Sequence, residues 1–196
     1  MSIDRLTALF RHVQFSVTSE QSADQPRMPV LRVAQVNGGI TVSYFKQPEM
    51  ETKAQCEIAL DFGGNKNPLL NGLPEQLQAT LGEADAAFPI AQLVLRETAN
   101  ARCGTPVVLD RLFEILLIML LRSAIEQGQE LPGLLAGLAD DHLKYALVAV
   151  HERPGANWST EQLADLCHLS RTSFYQRFQK RLGSTPMQYV RSWRMA

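Results

Sequence analysis

The strongest periodicity in the chain lies toward its C-terminal end, where apolar positions fall three and four apart in three successive segments separated by polar breaks. In the first segment Leu163, Ala164, Leu166 and Cys167 follow Ser159-Thr160, either of which caps a helix, with Glu161 and Gln162 in the first turn. His168-Leu169 leaves room only for a turn, and Ser170 caps a second helix that begins at Arg171. On that helix Phe174, Phe178 and Leu182 share one stripe, while Thr172, Tyr175, Gln176 and Gln179 share the opposite one. Gly183 ends the helix in a left-handed conformation, and Pro186 opens a third, whose buried face carries Met187, Tyr189, Val190 and Trp193.

Earlier segments are read the same way. Thr105-Pro106 opens a helix that Gly128 closes, with a wide stripe of Leu109, Leu112, Phe113, Leu116, Leu117, Leu120 and Ala124. Val108, Ile115, Ile118 and Met119 make much of the remaining circumference apolar, so this helix needs partners on several sides. Leu109, Leu112, Leu116 and Leu120 then form either an intramolecular core or the seam of a homodimer. A helix over about 84–99, carrying Ile90, Leu93, Val94 and Glu97, would join it through the short link 100–104 as an antiparallel hairpin. Between 140 and 153 a further helix carries Leu143, Ala146, Leu147 and Val150 and stops at Pro154-Gly155. The N-terminal third begins with a short amphipathic helix over 3–13 and then alternates. Strands are expected at 15–18, 30–36, 40–45 and 57–62, and Asn37-Gly38-Gly39 signals a hairpin. The fold class is therefore α+β: a small antiparallel sheet (about 13–63) with a helical hairpin (about 84–128) in a module spanning 1–135, followed by an all-α module over 140–196.

Charge sharpens this division. The formal net charge of −1 hides an excess of eight Lys/Arg over five Asp/Glu from residue 140 onward. From Ser170 the chain carries Arg171, Arg177, Lys180, Arg181, Arg191 and Arg194 with no Asp or Glu, a face suited to phosphate. Catalytic signatures are missing. His12, His142, His151 and His168 are scattered without ligand spacing, and Cys56, Cys103 and Cys167 lack a CxxC pair, so reduced thiols and no metal or other cofactor are expected. The run 115–121 is far shorter than the roughly 18–20 residues that cross a bilayer, and Asp4, Arg5, Arg11 and His12 interrupt any leader-like pattern. A cytoplasmic, non-membrane, non-enzymatic protein is expected.

The residues Trp158-Ser159, Leu163-Ala164, Leu169-Ser170, Phe174, Phe178, Gly183, Pro186, Tyr189 and Arg194-Met195 resemble, in order and spacing, the first half of the DNA-binding domain of AraC/XylS-family transcriptional regulators. The resemblance implies that helix 171–182 lies in a major groove of double-stranded DNA. Thr172, Tyr175 and Gln176 would face base edges, and Arg171, Lys180 and Arg181 would meet phosphates. Leu163, Ala164, Phe174, Phe178, Pro186 and Tyr189 would form the helix-turn-helix core. Many relatives carry Arg where this chain has Gln176; Gln favours adenine N6/N7 whereas Arg favours guanine O6/N7, so the base preference is expected to differ from theirs. The family's second helix-turn-helix would follow a linker helix within which this chain reaches Ala196, so the reader is expected to be half of the family's domain. A weaker likeness, through Asn67-Pro68-Leu69-Leu70 and Leu73-Pro74, points to a cupin-type N-terminal domain; with only four strands counted, the barrel would be shortened, open, or not a barrel at all. The resemblance further implies a small-molecule effector and a homodimer; the position of 128–141 between the modules and its Pro132, Gly133 and Gly137 suggest that coupling would pass through that segment. The alternative function is that of a small-molecule-binding or protein-interaction protein without specific DNA binding.

Overall fold

The computed structural model describes residues 4–11, 15–18, 28–48, 54–64, 67–127 and 133–195. The chain forms two compact units. One comprises residues 15–61 and 75–123, the other 1–14, 62–74 and 124–196. This clustering differs from the linear division at 135–140, because the chain crosses between units more than once.

The first unit is built on a five-stranded antiparallel sheet: β1 (Ser16–Thr18), β2 (Val30–Val36), β3 (Gly39–Phe45), β4 (Cys56–Asp61) and β5 (Gln76–Leu81), in the order β1-β4-β2-β3-β5. β2 and β3 form the expected hairpin, with Val36 paired to Gly39 across the two-residue turn Asn37-Gly38. β5 is an addition to the four strands expected from sequence. In it Leu77 and Leu81 are buried between polar neighbours, and the strand pairs with β3 from Phe45↔Gln76 to Ile40↔Leu81. One face carries Leu31, Val33, Val42, Tyr44, Ile58 and Leu77, a set of cross-strand partners that the ladder register brings side by side. On that face α3 (Phe88–Ala99) packs against β2, β3 and β4, and Thr98 Oγ1 donates to Cys56 Sγ at 3.0 Å. The sheet, not α4, is thus the main partner of α3. On the other face Arg32 is buried, ion-paired with its cross-strand partner Glu57 and stacked over Phe45.

α4 (Thr105–Glu126) follows the link 100–104. Thr105 Oγ1 accepts from the Arg102 amide and donates to Glu97, whose other oxygen takes Arg102 Nη2 at 2.6 Å, so the link is tied to the end of α3. Leu112, Phe113, Leu116, Leu117 and Leu120 are buried and Leu109 half-buried, whereas Val107 is 63% exposed and Val108 and Ile115 also face solvent. Gly128, the expected end of this helix, lies outside the described residues, as do Ile3, His12, Val13 and Pro132. No helix among the described residues is long and apolar enough to cross a membrane.

The second unit is helical. Asp4 caps α1 (Arg5–Phe10), which packs on α6 (Leu143–Glu152), and Arg5 Nη1 donates to the Leu138 carbonyl at 3.0 Å. Asn67 caps α2 (Pro68–Gly72), a one-turn helix against α5 (Leu134–Ala139). The segment 128–141, expected to carry coupling, thus contains a helical turn: Leu134, Leu135 and Leu138 are buried, and α5 packs on both α6 and α8 (Arg171–Leu182). Gly137 makes that approach close, since a Cβ there would sit 2.7 Å from Leu147 Cδ1 and 2.9 Å from Leu182 Cδ1. Leu143, Ala146, Leu147 and Val150 of α6 are buried as their spacing requires. Gly137→Ala should therefore lower stability by about 1–3 kcal/mol through overpacking, readable as a shift in the denaturant midpoint without a change in slope.

Candidate nucleic-acid interface

Three helices build the candidate interface. α7 (Thr160–Leu166) starts at Ser159, whose side chain accepts from the Gln162 amide while Gln162 reaches back to the Ser159 amide, a reciprocal capping box. The turn that follows is tight. His168 takes a left-handed φ of 53°, and the Leu169 amide donates to the Ala164 carbonyl at 3.0 Å. Small Ala164, 2% exposed, leaves room for that closure and for α8. Ser170 then caps α8 through the Ser173 amide, and Gly183 closes it with φ 73°, a conformation in which a Cβ is disfavoured. Thr185 and Gln188 form a second capping box at the start of α9 (Pro186–Arg194).

Apolar packing holds α8 from behind. Phe174 and Phe178 are fully buried, their rings 5.5 Å apart, and Tyr189 meets the Phe178 edge at 5.6 Å. Trp193 extends the cluster, with the buried His151 ring 4.3 Å from it and His151 Nε2 2.6 Å from the Tyr189 hydroxyl. His151 is therefore a core group. Leu163, Ala164 and Pro186 are buried and Tyr189 half-buried. Two expectations of burial fail: Leu166 and Met187 face solvent, each one position off the stripe that meets a neighbouring helix.

Thr172, Tyr175 and Gln176 are exposed together with Gln179 and Lys180, so the polar stripe is open along the length of α8. The three expected phosphate contacts differ among themselves. Arg171 pairs with Glu161 of α7 at 2.8 Å. Arg181 Nε lies 3.6 Å from Asp140 Oδ2 and stays half exposed, and Lys180 makes no ion pair among the described residues. Sequence reasoning missed Asp140. Its side chain is 1% exposed and takes Arg177 Nε at 3.0 and 2.9 Å on its two oxygens, while Oδ1 also accepts from the His142 and Leu143 amides at 3.0 and 3.1 Å. Burial raises the carboxyl's pKa, but the Arg177 and backbone hydrogen bonds outweigh it and hold the group ionised below the ordinary range. The only local signal was an acidic residue just ahead of a helix start.

No group of three His, Cys, Asp or Glu among the described residues is arranged to hold a metal ion. Cys56 and Cys167 are buried and Cys103 is exposed, all as free thiols.

Capped helix, left-handed turn and second helix with separate apolar and polar faces define a helix-turn-helix. Residues 7–126 match the family described as Cupin, and residues 150–191 match the bacterial regulatory helix-turn-helix proteins of the AraC family. The chain belongs to the cupin family, joined here to an AraC-type helix-turn-helix. An uncharacterized HTH-type transcriptional regulator of Haemophilus influenzae is 36% identical over 65% of this chain and 42% of its own length. The HTH-type transcriptional regulator AlkR of Acinetobacter baylyi is 31% identical over 66% of this chain and 44% of its own. MtrA of Neisseria gonorrhoeae, also an HTH-type transcriptional regulator, is 29% identical over 65% and 42%. The chain thus spans less than half the length of each of these relatives. No solved structure matches it.

Thiol chemistry offers a check on this packing. Burial pushes the Cys167 thiol up to about 11 and raises Cys56 as well. Iodoacetamide at pH 7.5–8 should modify Cys103 first, with Cys56 and Cys167 reacting only after unfolding; mass spectrometry of peptides would show the order.

Proposed function

We propose that this chain is a DNA-binding transcriptional regulator that reads duplex DNA with α8. The observation that carries the reading is the division of α8 into a buried Phe174/Phe178 stripe and an open Thr172/Tyr175/Gln176 stripe, set by a capped turn within a segment similar to AraC-type helix-turn-helix proteins. Those three side chains face base edges, with Gln176 suited to adenine N6/N7. Lys180 binds phosphate, and Arg171 and Arg181 join it by exchanging their carboxylate partners for phosphate oxygens. Its relatives are named as HTH-type transcriptional regulators, which supports this non-catalytic role; such a regulator acts in the cytoplasm, where chromosomal DNA is accessible.

A homodimer would double the contact with DNA. The exposed Val107, Val108 and Ile115 of α4 favour it, because such side chains gain most from a second copy. A small-molecule effector would act on the sheet unit, where an open cleft of about 480 Å³ is lined by Gln35, Gln55, Gln92, Arg96 and Asn100.

The test is selection from a randomised duplex pool at near-physiological salt, followed by affinity against salt concentration. A short enriched motif is expected, in half-sites about one helical turn apart for a dimer. Thr172→Ala and Gln176→Ala should each cost about 1–3 kcal/mol of base discrimination, whereas Lys180→Ala should weaken all sequences alike and lower the salt slope by about one. Binding without enrichment, or equal effects of both classes on random and selected duplex, would contradict the reading.

A further inference from the structure

Six cations follow Ser170, and the one at the centre of α8, Arg177, keeps its side chain 41% exposed yet turns its Nε onto a buried carboxylate. Arg177 lies one turn from Phe174 and Arg181 one turn from Arg177, so both flank the buried stripe on the same edge of α8. Both meet Asp140. That carboxylate sits at the joint where α5 ends and α6 begins: its amide closes α5 onto Ala136 and Gly137, and its Oδ1 takes the His142 and Leu143 amides. Nearby, the Gly133 amide donates to the Arg181 carbonyl at 3.1 Å. One buried charge therefore connects three helices.

We propose that Asp140 is a positioning residue for DNA reading: it fixes the rotation of α8 about its own axis and holds Arg177 out of the set of phosphate-binding cations. The inference rests on the reading of α8 as the DNA-facing helix. Apolar burial is non-directional, so it fixes the rotation of α8 less sharply than a hydrogen-bonded charge does, and any rotation moves Thr172, Tyr175 and Gln176 relative to base edges. The Arg177 hydrogen bonds, 2.9 and 3.0 Å to a carboxylate that is itself anchored by two backbone amides, resist that rotation. They also neutralise a cation that would otherwise attract every duplex equally. Asp140 thereby favours discrimination over general affinity. Arg181, at 3.6 Å and half exposed, remains able to leave for a phosphate.

The test uses the full chain and measures affinity for a selected and a random duplex across salt concentrations for wild type, Arg177→Gln, Asp140→Asn, the double variant and Lys180→Ala. Each phosphate contact contributes about 0.9 to the slope of log affinity against log salt. Arg177→Gln is expected to leave that slope at the wild-type value while lowering the selected-to-random ratio about tenfold. Lys180→Ala should lower the slope by about 0.9 and leave the ratio unchanged. Where Asp140→Asn stays folded, freed Arg177 should steepen the slope by about one, and adding Arg177→Gln should return it to the wild-type value. A slope that falls by about 0.9 in Arg177→Gln would place Arg177 on phosphate and overturn the inference alone. An unchanged ratio in Arg177→Gln would likewise overturn it, leaving the pair a structural contact only. Wild-type protein that retains no duplex at low salt would overturn the DNA reading itself, and the inference with it.

Discussion

A carboxylate removed from water must find hydrogen bonds and opposite charge, and in the helical unit Asp140 imposes that condition on everything around it. Two backbone amides at the start of α6 and the guanidinium of Arg177 meet it. The demand is geometric as well as energetic. α6 must begin where its first amides reach Oδ1, and α8 must lie with Arg177 Nε against both carboxylate oxygens. Gly137 allows α5 to pass beneath, touching Leu147 and Leu182 without a side chain of its own. The apolar cluster of Phe174, Phe178, Tyr189 and Trp193 supplies much of the burial of α8 through non-directional contact, and the charged contact adds a directional one.

Local rules and long-range packing agree along α8. Ser159, Ser170 and Thr185 each cap a helix through the amide three residues on, so the three ends are defined by short-range chemistry alone. The turn between α7 and α8 is held by backbone hydrogen bonds and the left-handed His168. Because the helices need no large loop rearrangement to present Thr172, Tyr175 and Gln176, the polar face exists before any partner arrives. Preorganisation of this kind reduces the entropy lost on association.

What the sequence made legible follows from these scales. The helix-turn-helix could be read almost residue by residue, because caps, glycine C-terminus and stripe spacing are local. The β2-β3 hairpin was equally visible through Asn37-Gly38. β5 was hidden: Gln76 to Leu81 offers only Leu77 and Leu81 as large apolar side chains, and its strand character comes from the ladder with β3. α5 was masked by Gly133 and Gly137, which read as linker residues yet serve close packing. The Asp140–Arg177 pair spans 37 residues with no pattern to announce it, and α3 turned to the sheet rather than to α4 because Val94 and Thr98 meet strands. Of the candidate site, the exposed stripe was foreseen, and the partners that already occupy Arg171 and Arg181 were not.

The hydrogen bond from Arg5 to the Leu138 carbonyl spans 133 residues of chain. Helix α1 leaves the ribosome well before α6, and its packing surface on α6 does not exist until that distance has been synthesised, on the order of ten seconds later at typical elongation rates. Ala8 and Leu9, buried in the finished unit, have no docking site during that interval. Closing so long a loop costs little more entropy than closing a shorter one, since the cost grows only with the logarithm of length. Time, rather than free energy, is what this topology demands, and α1 waits through the synthesis of most of the chain before it is seated.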